Sequence, residues 1–381
     1  MPFVDNIKNI IRKQLNSFRK ATDISSNGAC LVLLYHRVTD YETDPQLLCV
    51  TPQNFDKQIN YLLKLSDEVG LIEHATRDEP NYKEGWCVDD NARAIQVCLA
   101  FPENKQLNQK LSTYVSFIKS AWREGKLFND FNEDLTWKDD ATTDGEHIGR
   151  ALAAFGELIN KRKDFENIKG LADKIYKSIK NKKIRWPRVT AQLVLGGKYL
   201  YPEDIKKWAD KLVKIYRQVN DNNWKWFESK ISYDNGRIPM ALLTAFEITG
   251  DKKYLKIATE SLDFLTDLFW DEDKQCLSFP GNKGWIEKDG IRAKFDQQPV
   301  EAGSMVEAYN LAYKITDNKK YKKLAKIAFE WYEGRNIRKQ KMINEVSGGI
   351  YDGFGKKEVN QNQGAEAVLS YLLAVSKVES I

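Results

Sequence analysis

The sequence predicts an all-α fold, an (α/α)6 toroid of about twelve helices with a short N-terminal extension. Three observations carry that prediction. Amphipathic helix openings recur after short turn signals, apolar-periodic runs rich in small residues precede each turn, and long connections alternate with the short ones. The repeat is a helical hairpin, which needs neighbours to bury its apolar face.

Taken in order, the first hairpin pairs NARAIQVCLAF with the run that follows FPENK, and the second pairs EHIGRALAAFGELI with the run after KRKDFENIKG. The third turns at GGKYLYPED, the fourth at TGDKK after GRIPMALLTAFEI, and the fifth at TDNKK after VEAGSMVEAYNLAYKI. Small residues within these runs let helices approach closely. QNFDKQINYLLKL near the start and NQGAEAVLSYLLAV near the end supply a sixth pair, so the ends close a ring rather than leave an open α-solenoid. Residues 51–381 are read as the toroid domain and residues 1–50 as a separate N-terminal segment.

Turns within hairpins are short, whereas the connections between hairpins are long: 66–86, 125–145, 181–186, 219–235, 271–299 and 336–361. In a toroid all six emerge on one rim, and long loops on a compact scaffold are where function concentrates. They carry Trp86, Trp137, Trp186, Trp224, Trp226, Tyr233 and Trp285 among acids, amides and arginines. A pyranose offers an apolar C–H face and a ring of hydroxyls, so this mixture suits a sugar.

Carboxylates cluster beside the predicted helix starts. Asp89 and Asp90 stand in GWCVDDNARA, Glu146 in WKDDATTDGEHIGRA with Asp139, Asp140 and Asp144, Glu228 and Asp234 in WKWFESKISYDNGRIP, and Asp296 and Glu301 in AKFDQQPVEAG. Asp352 and Glu366 follow in GGIYDGFGKKEVNQNQGAEA. Carboxylates brought round one cavity serve as general acid and general base of glycosidic bond cleavage when burial separates their protonation. In the adjacent pair, Asp89 is assigned the helix cap and Asp90 the cleft.

Other chemistries find little support. Lys and Arg number 59 against 54 Asp and Glu, a net charge of +5 without long like-charge blocks, so no nucleic-acid face is expected. The 5 cysteines are scattered without CxxC spacing, which fits a reducing compartment and excludes a zinc or disulfide framework. His36, His74 and His147 form no HExxH or HxH spacing, and GxSxG, GxGxxG and P-loop patterns are absent, so neither metal nor cofactor is expected. No apolar run approaches the roughly 20 residues of a membrane span and no signal peptide is legible, so a cytoplasmic location is expected. The opening MPFVDNIKNIIRKQLNSFRK places Phe3, Ile7, Ile10, Ile11, Leu15 and Phe18 on one helical face, a pattern for peripheral membrane contact or for packing on its own domain.

Two resemblances add to this reading. LVLLYHRVTDY…LLCVTPQNFDKQINYLL, residues 31–63, resembles the opening of polysaccharide deacetylases, without the TFDDG and HxxxH motifs that bind their metal; it is read as an inactive remnant with His36 structural. Residues 65–375 resemble the six-hairpin glycosidase-type toroid domains found fused to bacterial glycosyltransferases, through GLIEHATRDEPNYKEGWCVDDNARA, FNDFNEDLTW, TDGEHIGRALAAFG, FPGNKGWIEKDGIRAKFDQQPVEA and GGIYDGFGKKEVNQNQGAEAVLSYLLA. That resemblance implies a carbohydrate-active cleft, with a glycosyltransferase or polysaccharide assembly system as partner.

The expectation is therefore a glycoside hydrolase acting on an oligo- or polysaccharide by a metal-independent, inverting carboxylate mechanism. One of Asp89 and Asp90 pairs with Glu146, Glu228 or Asp296. Trp86, Trp224, Trp226 and Trp285 are the expected stacking platforms. Arg93, Arg150, Asp234, Arg237, Gln297, Gln298, Glu301, Asp352, Asn362, Gln363 and Glu366 are expected to bind hydroxyls or orient the acids. A non-catalytic glycan-binding or scaffold module and a sugar epimerase are the alternatives, the latter disfavoured by the few histidines.

Overall fold

A computed structural model describes residues 50–138, 145–290 and 292–378, which belong to one compact unit. The N-terminal amphipathic stretch, most of the deacetylase-like segment with His36, and Asp139, Asp140 and Asp144 lie outside the described residues. Twelve α-helices follow among those described: α1 (Pro52–Lys64), α2 (Val88–Ala100), α3 (Lys105–Ser120), α4 (Glu146–Lys161), α5 (Lys169–Lys180) and α6 (Pro187–Leu200), then α7 (Ile205–Val219), α8 (Arg237–Thr249), α9 (Lys252–Phe269), α10 (Pro299–Thr316), α11 (Lys319–Glu330) and α12 (Ala365–Val378). No helix among them is long and apolar enough to cross a membrane.

Even-numbered helices touch in succession from α2 to α12, and α12 returns to α2. That contact closes the ring. Odd-numbered helices stand outside, each on the inner helix of its hairpin, with α1 packed on α12 as the sixth pair. A solenoid would leave its end helices bare on one side, so the (α/α)6 toroid predicted from sequence is the fold observed.

Inner and outer helices differ as their sequences require. In α12 nearly every side is covered, from Ala365 and Val368 through Tyr371 and Leu372 to Val375, as expected for a helix apolar or small all round. In α7 the buried set is Ile205, Trp208, Ala209, Leu212, Val213 and Tyr216, a single stripe at helical spacing. Approach is close between α4 and α6, where a Cβ added at Gly149 would lie 2.4 Å from the Cβ of Gln192 and 2.7 Å from its carbonyl carbon. Gly149→Ala should therefore cost about 1–3 kcal/mol through overpacking, read as a lower urea midpoint at unchanged m-value.

Side-chain caps are confined to the outer ring, although the outer helices α5 and α7 have none. Outer helices α1, α3, α9 and α11 are capped by side chains, with Thr51, Asn104, Asp251 and Asn318 accepting from Asn54, Leu107, Lys253 and Lys320 N–H respectively. Inner helices α2, α4, α6, α8 and α10 have no side-chain cap. Here one expectation fails: α2 starts at Val88 with Cys87 as its N-cap, so neither Asp89 nor Asp90 is the cap. The helix begins early because Trp86–Cys87 is an extended ribbon paired with Asp130–Phe131. Lys230–Ile231 pairs likewise with Ile286–Glu287, and these ribbons tie neighbouring rim loops together.

Candidate active site

A cavity of about 1070 Å³ opens where the inner helices begin. All six long connections reach it, and the first turns of α2, α4, α6, α10 and α12 form its floor. Uncapped N-termini carry partial positive charge, which favours acids in those first turns. Asp89, Asp90, Glu146 and Glu366 occupy such positions.

Three arginines organise these acids. Arg150 Nη1 donates to Asp89 Oδ1 at 2.8 Å, and its Nη2 donates to Glu146 Oε2 at 2.8 Å and Asp234 Oδ2 at 3.0 Å. Arg93 donates to Asp90 Oδ1 at 2.7 Å and, across the ring closure, to Glu366 Oε1 at 2.9 Å. Arg188 donates to the Tyr233 carbonyl at 2.7 Å and sits 4.8 Å from that ring's centre. Its Nη1 also lies 2.8 Å from Glu228 Oε2, a charge contact without hydrogen-bond alignment. The Tyr233 hydroxyl donates to Glu146 Oε1 at 2.6 Å, linking the start of α4 to the loop that leads into α8.

The network divides the carboxyls by protonation. Burial, reinforced by Asp90, Asp130 and Asp89, pushes the Glu73 carboxyl up to about 8. Burial also raises Asp352 to about 6, against the Gly364 N–H that donates to it at 2.6 Å. Glu366 is raised by burial, with Arg93 opposing. Asp89 goes the other way: burial opposes its charge, but Arg150, Arg93 and His147 together hold it below the ordinary carboxylate range. Two carboxyls of opposite protonation thus face one space, the arrangement acid–base catalysis requires.

All five predicted catalytic acids, Asp89, Asp90, Glu146, Glu228 and Asp296, line this cavity. So do Arg93, Arg150, Trp285, Gln298, Asp352, Asn362 and Glu366. Within the adjacent pair it is Asp89, expected to be the cap, that is the more open to the cavity, its side chain 22% exposed against 3% for Asp90, which is pressed against Arg93.

The tryptophans need correction. Trp86, Trp224 and Trp226 are buried and do not line the cavity, so they are not stacking platforms. Trp86 packs on Phe131 and Tyr82, Trp224 on Phe264 and Trp226 on its neighbour Phe227, and all three belong to the hydrophobic core. Trp285 does line the cavity, 6.2 Å from Tyr233 between ring centres, and holds a left-handed φ of 56°. Such a backbone state is costly for a bulky residue and clusters at functional sites.

Five further predicted ligands lie outside the lining. Gln297 is spent on Phe279 N–H, Ser278 and Lys294, and Gln363 accepts from Ser347. Arg237 bridges Asp234 to Glu307, and Asp234 supports Arg150 from beneath the floor. Glu301 accepts from Asn235 at 2.8 Å, while its other oxygen is buried without a partner. Burial pushes Glu301 up to about 8 from an ordinary 4.5. A raised folded-state value means its stabilising contribution is complete below about 4.5 and is lost as pH rises towards about 8. Glu301→Gln should flatten the fall in denaturation midpoint across that window.

Sequence reasoning missed Glu73 and Arg188. Glu73 lies far from any helix start, placed by its backbone N–H to Gly85 and by its carbonyl accepting from Ala365 N–H at 2.9 Å. Arg188 follows Pro187 in the first turn of α6, a helix start with no acid to draw attention to it. Among the described residues, Glu73, Cys87 and Asp90 place possible metal ligands within 4.8 Å of one another. Burial raises the Cys87 thiol well above its usual range and Asp90 Oδ1 already accepts from Arg93, so this is a poor donor set for a cation.

Comparison with solved structures places the chain beside other toroids. It is similar to a sugar epimerase from a ruminal bacterium, at 14% identity over 86% of this chain and 98% of that one, with a TM-score of 0.66. Cellobiose 2-epimerase from Bacillus thermoamylovorans B4167 matches at 13% over 86% and 99%, with a TM-score of 0.69. An inactive variant of an α-1,6-mannanase from Salegentibacter sp. HEL1_6, in complex with α-1,6-mannotetrose, matches at 12% over 86% and 98%, with a TM-score of 0.60. The shared property is the fold. No family model and no curated relative matches the chain, and the comparisons lend no support to a deacetylase segment.

Proposed function

We propose that the chain cleaves glycosidic bonds of an oligo- or polysaccharide without a metal, by an inverting mechanism in which Glu73 is the general acid and Asp89 the general base. The observation that carries this reading is a single cavity facing a carboxyl raised to about 8 and another held below the ordinary range. Glu73 would protonate the leaving oxygen, and Asp89 would take a proton from the attacking water. Glu146, tied to Arg150 and Tyr233, and Glu228, beside Arg188, are assigned to substrate orientation together with Asp90 and Asp296. Toroids described as sugar epimerases and a mannanase support the carbohydrate assignment. In the mannanase variant described as inactive, two adjacent aspartates are replaced by alanine, and this chain also brings two adjacent aspartates to its cavity.

The test is Glu73→Gln. Hydrolysis of unactivated oligosaccharides should fall about 10²–10⁴-fold. The alkaline limb of the wild-type kcat/KM profile, expected near pH 8 because the donor must be protonated, should disappear. A glycosyl fluoride, whose leaving group needs no proton, should still react. Unchanged hydrolysis in both Glu73→Gln and Asp89→Asn would end the proposal.

Epimerisation is the second reading, favoured by Glu73 and Asp352 both titrating near neutrality within one cavity. Such a pair could exchange a C–H proton beside the carbonyl of an open-chain sugar. Reaction in heavy water separates the two: deuterium at C2 without new reducing ends marks epimerisation.

A further inference from the structure

The cavity wall is acidic, and its cations are already engaged. Arg150 is divided among three carboxylates and Arg93 between two, while Arg188 serves Glu228, the Tyr233 carbonyl and Ser232 Oγ. Of the lysines that reach the lining, Lys283 is 80% exposed at the mouth beside Asp296, and Lys230 is exposed on the rim. An anionic substituent entering below these rim lysines would have to take a guanidinium from a carboxylate that then has no counter-charge. It would also face Asp89 and Asp90 directly.

Hydroxyl groups meet the opposite situation. Carboxylate oxygens accept hydrogen bonds from them without any change of charge, and the Trp285–Tyr233 wall offers apolar area for a pyranose face.

We infer that the substrate is an uncharged glycan, and that this arginine–carboxylate wiring excludes chains bearing uronate, sulfate or phosphate groups. The inference rests on the cavity being a glycan site, as proposed above, but not on cleavage taking place there. It makes Glu228 a specificity-determining residue, because Glu228 engages Arg188 and leaves it unable to meet a carboxylate ligand.

Binding by the full-length Glu73→Gln chain, which retains the cavity's charge because the native carboxyl holds its proton, separates the possibilities. Calorimetry would use neutral oligosaccharides of several linkages with free C6 hydroxyls, each matched with the same oligosaccharide oxidised at C6 to the uronate. At least one neutral member should bind, and its uronate should bind more than about tenfold more weakly. Adding Glu228→Gln, which releases Arg188, should narrow that gap several-fold. Equal or tighter binding of the uronates overturns the inference, and binding of neither kind overturns it together with the glycan site. Neutral binding by a wild-type chain that yields no cleavage products would refute the proposed hydrolysis and leave the inference standing.

Discussion

Asp89→Asn should lower kcat/KM by about 10²–10⁴-fold while the protein remains folded. An asparagine oxygen can still accept from Arg150, and Arg150 retains Glu146 and Asp234, so the floor of the cavity is preserved. What disappears is the negative charge that, in the proposed mechanism, removes a proton from water. The thermal midpoint should move by no more than a few degrees, and a large shift would mean that Asp89 is chiefly structural. Wild-type activity should also extend to unusually low pH, since the arginines keep Asp89 ionised below the ordinary carboxylate range.

Arg150→Met should have the largest effect on stability, about 3–5 kcal/mol, seen as a lower denaturant midpoint. Methionine matches much of the volume and leaves Asp89, Glu146 and Asp234 facing one another. Asp234 is fully buried and keeps Arg237 alone of its two ion-pair partners. Adding Asp89→Asn to Arg150→Met should recover part of the loss, because it removes one uncompensated charge. Additive effects of the two substitutions would show that the ion pair is not coupled.

How far the sequence could be read depended on the physics behind each feature. Helical periodicity and turn chemistry are local, so the hairpins, the long connections and the gathering of Asp89, Glu146, Glu228 and Asp296 on one rim followed from them. Closure of the ring was legible because the first and last apolar runs each lacked a neighbour. Burial of a particular aromatic is a tertiary property. Trp226 and Trp285 sit in similar loops, but one is fully buried and the other stands at the cavity wall. Glu73 was hidden for the same reason. Nothing near it in sequence marks it as the proposed general acid, and its place is set by Gly85 and by the start of a helix almost three hundred residues away.

That distance constrains how the protein comes into being. Glu73 is held by Ala365, Arg93 by Glu366, and the Tyr61 hydroxyl donates to the Gln363 carbonyl at 2.8 Å. During synthesis, α2 leaves the ribosome long before α12 exists, and its closing face stays uncovered while the intervening hairpins are made. Early hairpins can form and pack on one another, but Glu73 and Arg93 lack their distant partners until the last inner helix is released. A nascent or prematurely terminated chain can therefore bury much of its core and still lack a complete cavity.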